Sequence, residues 1–207
     1  MKELNKSLDA VMYELNEVGL FSGEFQYLYQ INIIRSPLPS WIMENGMVID
    51  EELDWFNGGL LGFEEGEIYI SKYPSLNKKV GNTLRDLIRH EYGHAWAWLD
   101  KDLFKAKWFK EAFGNSYWSI KGKDTNYFEY YWKDARDGEF KTTHLYDNYV
   151  SEYALFNPAE DFAETFMFFL KYRNSLERFK MRKGVFRKLR AIEKATRKIS
   201  DIQLIRY

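Results

Sequence analysis

His90-Glu91-Tyr92-Gly93-His94 gathers two of the chain's three histidines into five positions. On a helix, residues four apart project from one face. His90 and His94 can therefore hold one metal ion between their imidazoles. Glu91 lies one residue round and can reach a water on that metal as general base. The pattern is that of a hydrolytic zinc site. The bland alternative is a helix with two ordinary histidines and an accidental glutamate.

A catalytic zinc takes three protein ligands and leaves the fourth place to water. Two positions can supply the third ligand. Asp100 lies six residues after His94, the metzincin distance, but position 97 is alanine where that class turns on glycine. The run Ala95-Trp96-Ala97-Trp98-Leu99 reads as continuing helix, which would carry Asp100 past the metal. The other route is Asn157-Pro158-Ala159-Glu160-Asp161-Phe162-Ala163-Glu164. Asn157 suits an N-cap and Pro158 the first helical position. Glu160 and Glu164 then share a face. Glu160 can complete a capping box with Asn157. Two stacked acids on so aromatic a helix need more, because buried carboxylates require a cation or hydrogen-bonding partners. Zinc ligation by Glu160 would supply the first. Glu164 would accept the outward ring N–H of a ligand histidine, His90.

With the paired helices in place, the chain resembles the gluzincins. Tyr153-Ala154-Leu155-Phe156-Asn157-Pro158-Ala159-Glu160-Asp161-Phe162-Ala163-Glu164 is similar, more narrowly, to the family of the anthrax lethal factor catalytic domain and the small Pro-Pro endopeptidases. The likeness rests on residues 66–100 and 150–172. It implies a zinc metalloendopeptidase with His90, His94 and Glu160 on Zn²⁺ and Glu91 as base. It implies that Tyr153, seven residues before the glutamate ligand, stabilises the transition state. It also implies that the strand before the zinc helix pairs with an extended peptide substrate by β-augmentation.

The elements that must position these groups can be read in outline. Thr83 or Asn82 can cap the zinc helix, and Asp86 falls in its first turn, where the helix dipole favours an acid. Leu84, Leu87, Ile88, Ala95 and Leu99 recur at helical spacing and predict a helix over 83–100 with one buried side. Helices are also predicted over 2–18, near 102–112, over 158–172 and within 175–199. Val185, Leu189, Ile192, Thr196 and Ile199 form the last buried stripe. Strands are expected near 30–35, 46–50, 60–63 and 67–71, the last two as a hairpin. Residues 115–148, with His144 near their end, read as an irregular insertion beside the cleft. The expected fold is one α+β zincin-like domain over 1–207. A small mixed sheet would set its edge strand on the zinc helix, and the C-terminal half would be helical.

Composition agrees with a folded enzyme of 207 residues, 45% hydrophobic and 18% aromatic. No apolar run of 18 residues predicts a membrane span. Met1–Val18 is charged and amphipathic rather than a signal peptide, which favours the cytoplasm and leaves a secreted mature form open. The absence of cysteine excludes disulfides and thiolate zinc sites. Net charge is −1 but uneven. Residues 1–70 carry 13 acids and 3 bases, and residues 171–198 carry 12 bases and 2 acids. Eight acids fall within 44–67: Glu44, Asp50, Glu51, Glu52, Asp54, Glu64, Glu65 and Glu67. If they rim the cleft they would attract basic peptides. The basic C-terminal helix admits a nucleic-acid or acidic partner, but no nucleic-acid motif accompanies it, and a solvated helix face is the preferred reading. The expected partner is a peptide or protein substrate. The alternatives are a non-catalytic zinc-stabilised binding or toxin-related module, and a nucleic-acid-associated regulator.

Overall fold

The computed structural model describes residues 2–20, 30–34, 59–62, 67–71, 83–100, 103–113, 117–119, 130–132, 147–155 and 158–205. Its helices are α1 (Lys2–Glu17), α2 (Leu84–Leu99), α3 (Lys107–Phe113), α4 (Pro158–Tyr172) and α5 (Lys183–Ile205). Short 3-10 turns lie at Leu103–Lys105, Tyr153–Leu155 and Arg173–Phe179. Asn157, His144 and the acidic run 44–67 apart from Gly59–Gly62 and Glu67 lie outside the described residues, as do the strand expected near 46–50 and most of the 115–148 insertion.

The helix α2 starts where Thr83 and Asp86 cap each other. The Asp86 N–H donates to Thr83 Oγ1 at 3.2 Å, and the Thr83 N–H donates to Asp86 Oδ2 at 3.1 Å. Of the two capping residues the sequence offered, Thr83 takes the role. The helix then runs unbroken to Leu99, through Ala97. Every residue from Ile88 to Ala97 is buried, so α2 is a central helix rather than one with a single apolar side. That burial takes in charged groups, and each has a partner. Arg89 donates to both oxygens of Glu14 on α1, at 2.7 and 2.6 Å, and to Asp86 Oδ1 at 2.6 Å. Lys171 of α4 reaches Asp86 Oδ2 at 2.8 Å. Asp86 thus caps α2 while binding cations from α2 and α4.

The core is helix on helix. Ile88, Tyr92, Ala95 and Trp96 of α2 meet Ala159, Phe162, Phe166 and Leu170 of α4. The Trp96 ring stands edge-on to Phe162 and Phe166, at centroid distances of 5.2 and 5.5 Å, a favoured aromatic geometry. Phe109 and Phe113 of α3 close the far side of Phe162, and Val185, Leu189 and Ile192 of α5 complete the core. A buried ion pair joins α5 to α4: Lys188 Nζ lies 2.6 Å from Asp161 Oδ2, and neither side chain is more than 2% exposed. Burial pushes the Asp161 carboxyl up to about 6 even with Lys188 beside it.

The expected α+β class is corrected by this arrangement. Nearly all described side chains belong to helices or the turns between them, and the described core is helical. Short extended runs do pair: β1 (Gln30–Ile34) with β3 (Glu67–Ser71) in parallel, β2 (Gly59–Gly62) with β3 antiparallel, and β4 (Tyr117–Ser119) with β5 (Tyr130–Trp132) antiparallel. Of these runs, Ile68 is the residue whose described side chain joins the core, and among the described residues that core is otherwise built from helices and the turns between them. The strand preceding the zinc helix, β3, is also not an edge. It lies between β1 and β2, with both its hydrogen-bonding sides occupied, and cannot take an added peptide strand.

At Gly93, α2 lies hard against α4. A Cβ built there would stand 2.7 Å from the Ala163 Cα, backbone that cannot swing aside. Gly93→Ala is therefore expected to destabilise the protein by about 1–3 kcal/mol through overpacking, despite the roughly 1 kcal/mol that alanine gains in helix propensity. Chemical denaturation checks this, and an unchanged or higher midpoint would show that the helices part freely. Lys188→Met should be worse, by about 3–5 kcal/mol, since it strands a buried carboxylate. Adding Asp161→Leu to that variant should restore most of the loss in the same measurement.

Candidate metal centre

His90 and His94 occupy successive turns of α2 and face α4. Their Nε2 atoms are 3.0 Å apart. Glu160, in the first turn of α4, brings Oε2 to 3.2 Å from His90 Nε2 and 3.3 Å from His94 Nε2. Three donor atoms from two helices thus form a nearly equilateral triangle. Donors arranged tetrahedrally about zinc at about 2.0–2.1 Å stand about 3.3 Å from one another. The triangle fits that ion, and these three residues form a group able to hold a metal.

The hydrogen bonding around the triangle agrees with its donor role. His90 Nδ1 lies 2.8 Å from Glu164 Oε1. A carboxylate there calls for the ring N–H at Nδ1, which leaves the Nε2 lone pair directed to the triangle. Ser151 donates its hydroxyl to the other oxygen, Glu164 Oε2, at 2.5 Å.

Charge points to a cation as well. Glu91 and Glu164 are buried and Glu160 is nearly so, all beside two imidazoles. Burial works against a charged His90 ring, yet Glu160, Glu164 and Glu91 outweigh it and move its pKa well above the usual value. Burial would raise Glu160, but His94 and His90 hold its carboxyl far below the ordinary range. Glu91 moves the other way: burial raises it, and the two histidines only partly offset that. Three carboxylates against two imidazoles leave an excess of negative charge out of water, which a divalent cation would largely offset.

Tyr153 stands on the 3-10 turn that precedes α4. Its ring centroid lies 5.8 Å from that of His90, and the residue is 49% exposed, so it sits where the centre meets solvent. Burial, followed by the charges of Glu160, Glu91 and Glu164, raises its pKa, and the phenol keeps its proton at neutral pH.

His90, Glu91, His94, Glu160, Glu164 and Tyr153 therefore come together. Asp100 does not. It is exposed at the C-cap of α2, with its N–H on the Trp96 carbonyl, because α2 continues straight past the position where a turn would be needed. Sequence reasoning missed Ser151. Its only signal was its place two residues before Tyr153, and a lone serine before a 3-10 turn carries no metal signature.

A family whose description reads "putative zinc-binding metallo-peptidase" matches residues 71–203, the span that holds every one of these groups. No curated protein and no solved structure matches the chain.

Metal titration separates the two routes to the third ligand. Glu160→Ala is expected to weaken zinc binding far more than Asp100→Ala, and Glu164→Ala to weaken it by about 10–100-fold, as loss of a ligand's orienting partner does. Competition with a chromophoric chelator reads all three. A zinc affinity sensitive to Asp100 and indifferent to Glu160 would overturn the assignment.

Proposed function

The chain belongs to this zinc-binding metallo-peptidase family, and from that we propose that it is a gluzincin-type endopeptidase that cuts peptide bonds within a polypeptide substrate. One observation carries the proposal: the His90–His94–Glu160 triangle, with Glu91 buried at the next helical position. A purely structural zinc site closes its fourth position with a protein ligand. Here the described donors number three, and a carboxylate stands beside them.

A zinc ion held by His90, His94 and Glu160 would lower the pKa of water and polarise the scissile carbonyl. Glu91 takes the proton of the attacking water and returns it to the leaving amine. Its raised pKa suits both transfers, since a group that must accept and then release a proton works best when its pKa lies nearer the working pH. Tyr153, a protonated phenol at the rim, donates a hydrogen bond to the oxyanion that develops on the carbonyl. Glu164 holds the His90 ring in one orientation through Nδ1. The tyrosine role follows the resemblance to the lethal factor and Pro-Pro endopeptidase family, and the position of Tyr153 beside His90 supports it.

Glu91→Gln should keep both fold and zinc while abolishing hydrolysis, because an amide cannot take the water proton at neutral pH. Tyr153→Phe should keep zinc and lower kcat by about 10²-fold, the effect of losing one oxyanion donor. Zinc content, circular dichroism and cleavage of a quenched-fluorescence peptide library test both variants together. Wild-type cleavage by Glu91→Gln, or loss of its zinc, would sink the assigned base.

A further inference from the structure

Ser151 links two parts of the centre that the reaction uses separately. Its hydroxyl donates to Glu164 Oε2 at 2.5 Å and accepts the N–H of Ala154 at 3.2 Å. A serine hydroxyl has one proton to give and lone pairs to accept, so both bonds can exist at once. The first reaches the carboxylate that orients His90, whose Nδ1 lies 2.8 Å from Glu164 Oε1. The second spans Tyr153, because Ala154 is the next residue along. Ala154 is fully buried and Val150 nearly so, which fixes the turn on either side of the tyrosine while Tyr153 itself stays half-exposed.

We propose that Ser151 is a positioning residue that ties the Tyr153 turn to the Glu164–His90 pair, so that the metal ligand and the phenol are held in one register. The proposal rests on the endopeptidase reading for the role of Tyr153, but its metal-binding half does not. Tyr153 has contacts of its own, its hydroxyl with Glu160 and its ring with His90. The turn that carries it is held by the hydroxyl bond at Ala154, and that hydroxyl is anchored on Glu164. Without the hydroxyl, Glu164 Oε2 loses this donor and the Ala154 N–H this acceptor, and the bond that couples the two elements directly is gone. A displacement of about 1 Å at a reacting group can lower a rate by about 10²-fold.

The test compares Ser151→Ala and Ser151→Thr, each with Tyr153 intact and as Tyr153→Phe. Zinc affinity is measured by chelator competition, kcat and KM at saturating zinc, and melting temperature alongside. Ser151→Ala is expected to weaken zinc by about tenfold, the lower end for a group behind a ligand. At full zinc occupancy it should still lower kcat by about 10- to 100-fold with KM little changed. Ser151→Thr, which keeps the hydroxyl, should recover both. In the Tyr153→Phe background the kcat effect of Ser151→Ala should vanish. Equal kcat losses in the two backgrounds would overturn the link to Tyr153, as would a fall in melting temperature alone with wild-type zinc affinity and kcat. If Tyr153→Phe alone leaves kcat unchanged, the tyrosine reading fails, and the zinc affinities of the Ser151 variants still decide whether the hydroxyl acts through Glu164.

Discussion

At Gly93 the backbone of α2 lies against Ala163 of α4, with no room for a methyl group between them. Most of the centre depends on that approach. His94 directly follows Gly93 and His90 lies about one turn before it, while Glu164 directly follows Ala163 and Glu160 lies about one turn before it. Two helices held this close can bring an imidazole nitrogen and a carboxylate oxygen within about 3 Å without long or flexible side chains. Farther apart, the same residues would face each other across water. The packing of Trp96 against Phe162 and Phe166 lies one turn beyond and holds the approach from the apolar side.

Among the described residues, the buried acids fall into two groups. Outside the centre, each has a permanent cation: Glu14 has Arg89, Asp86 has Arg89 and Lys171, and Asp161 has Lys188. Inside it, Glu160 and Glu164 face imidazoles. A permanent cation makes a fixed joint between helices. An imidazole can yield its lone pair to a metal, so the same cluster that is costly to bury becomes a binding site. The protein thus separates the charges that hold its helices from the charges that do its chemistry.

Much of the site could be read from the sequence because helical spacing is a local property. Four-residue intervals placed His90 with His94 and Glu160 with Glu164, and Thr83 and Asp86 marked the start of α2. The unbroken run through Ala97 made Asp100 the less favoured of the two routes to a third ligand, and the helix does continue through Ala97. The fold class was not legible in the same way. Alternation such as Ile68 and Ile70 signals that a strand can form, but not whether a sheet becomes a layer of the core, which depends on contacts far away in the chain. The same distance hid the Arg89–Glu14 pair, whose members are 75 residues apart, and with it the near-complete burial of α2. The centrality of β3 was hidden for that reason too: its parallel partner β1 lies across a long connection, while only the β2 hairpin was visible locally.

Glu160 and Asp161 are consecutive on α4, and on a helix consecutive side chains point about 100° apart. One faces the histidines of α2 and the other faces Lys188 of α5. Each acid is matched only in its own direction, so the pair fixes the angle of α4 about its long axis. Insertions and deletions are judged by the same rule. One residue inserted between Asp161 and Phe162 would turn the acids by that 100° against the apolar face of Phe162, Phe166 and Leu170. Asp161, shorter than glutamate by one methylene, would then take the direction of Glu160, and Lys188 would lose its partner. The start of α4 can thus exchange many of its residues but not change its length, and the histidine motif on α2 inherits that restriction from a helix more than sixty positions further along the chain.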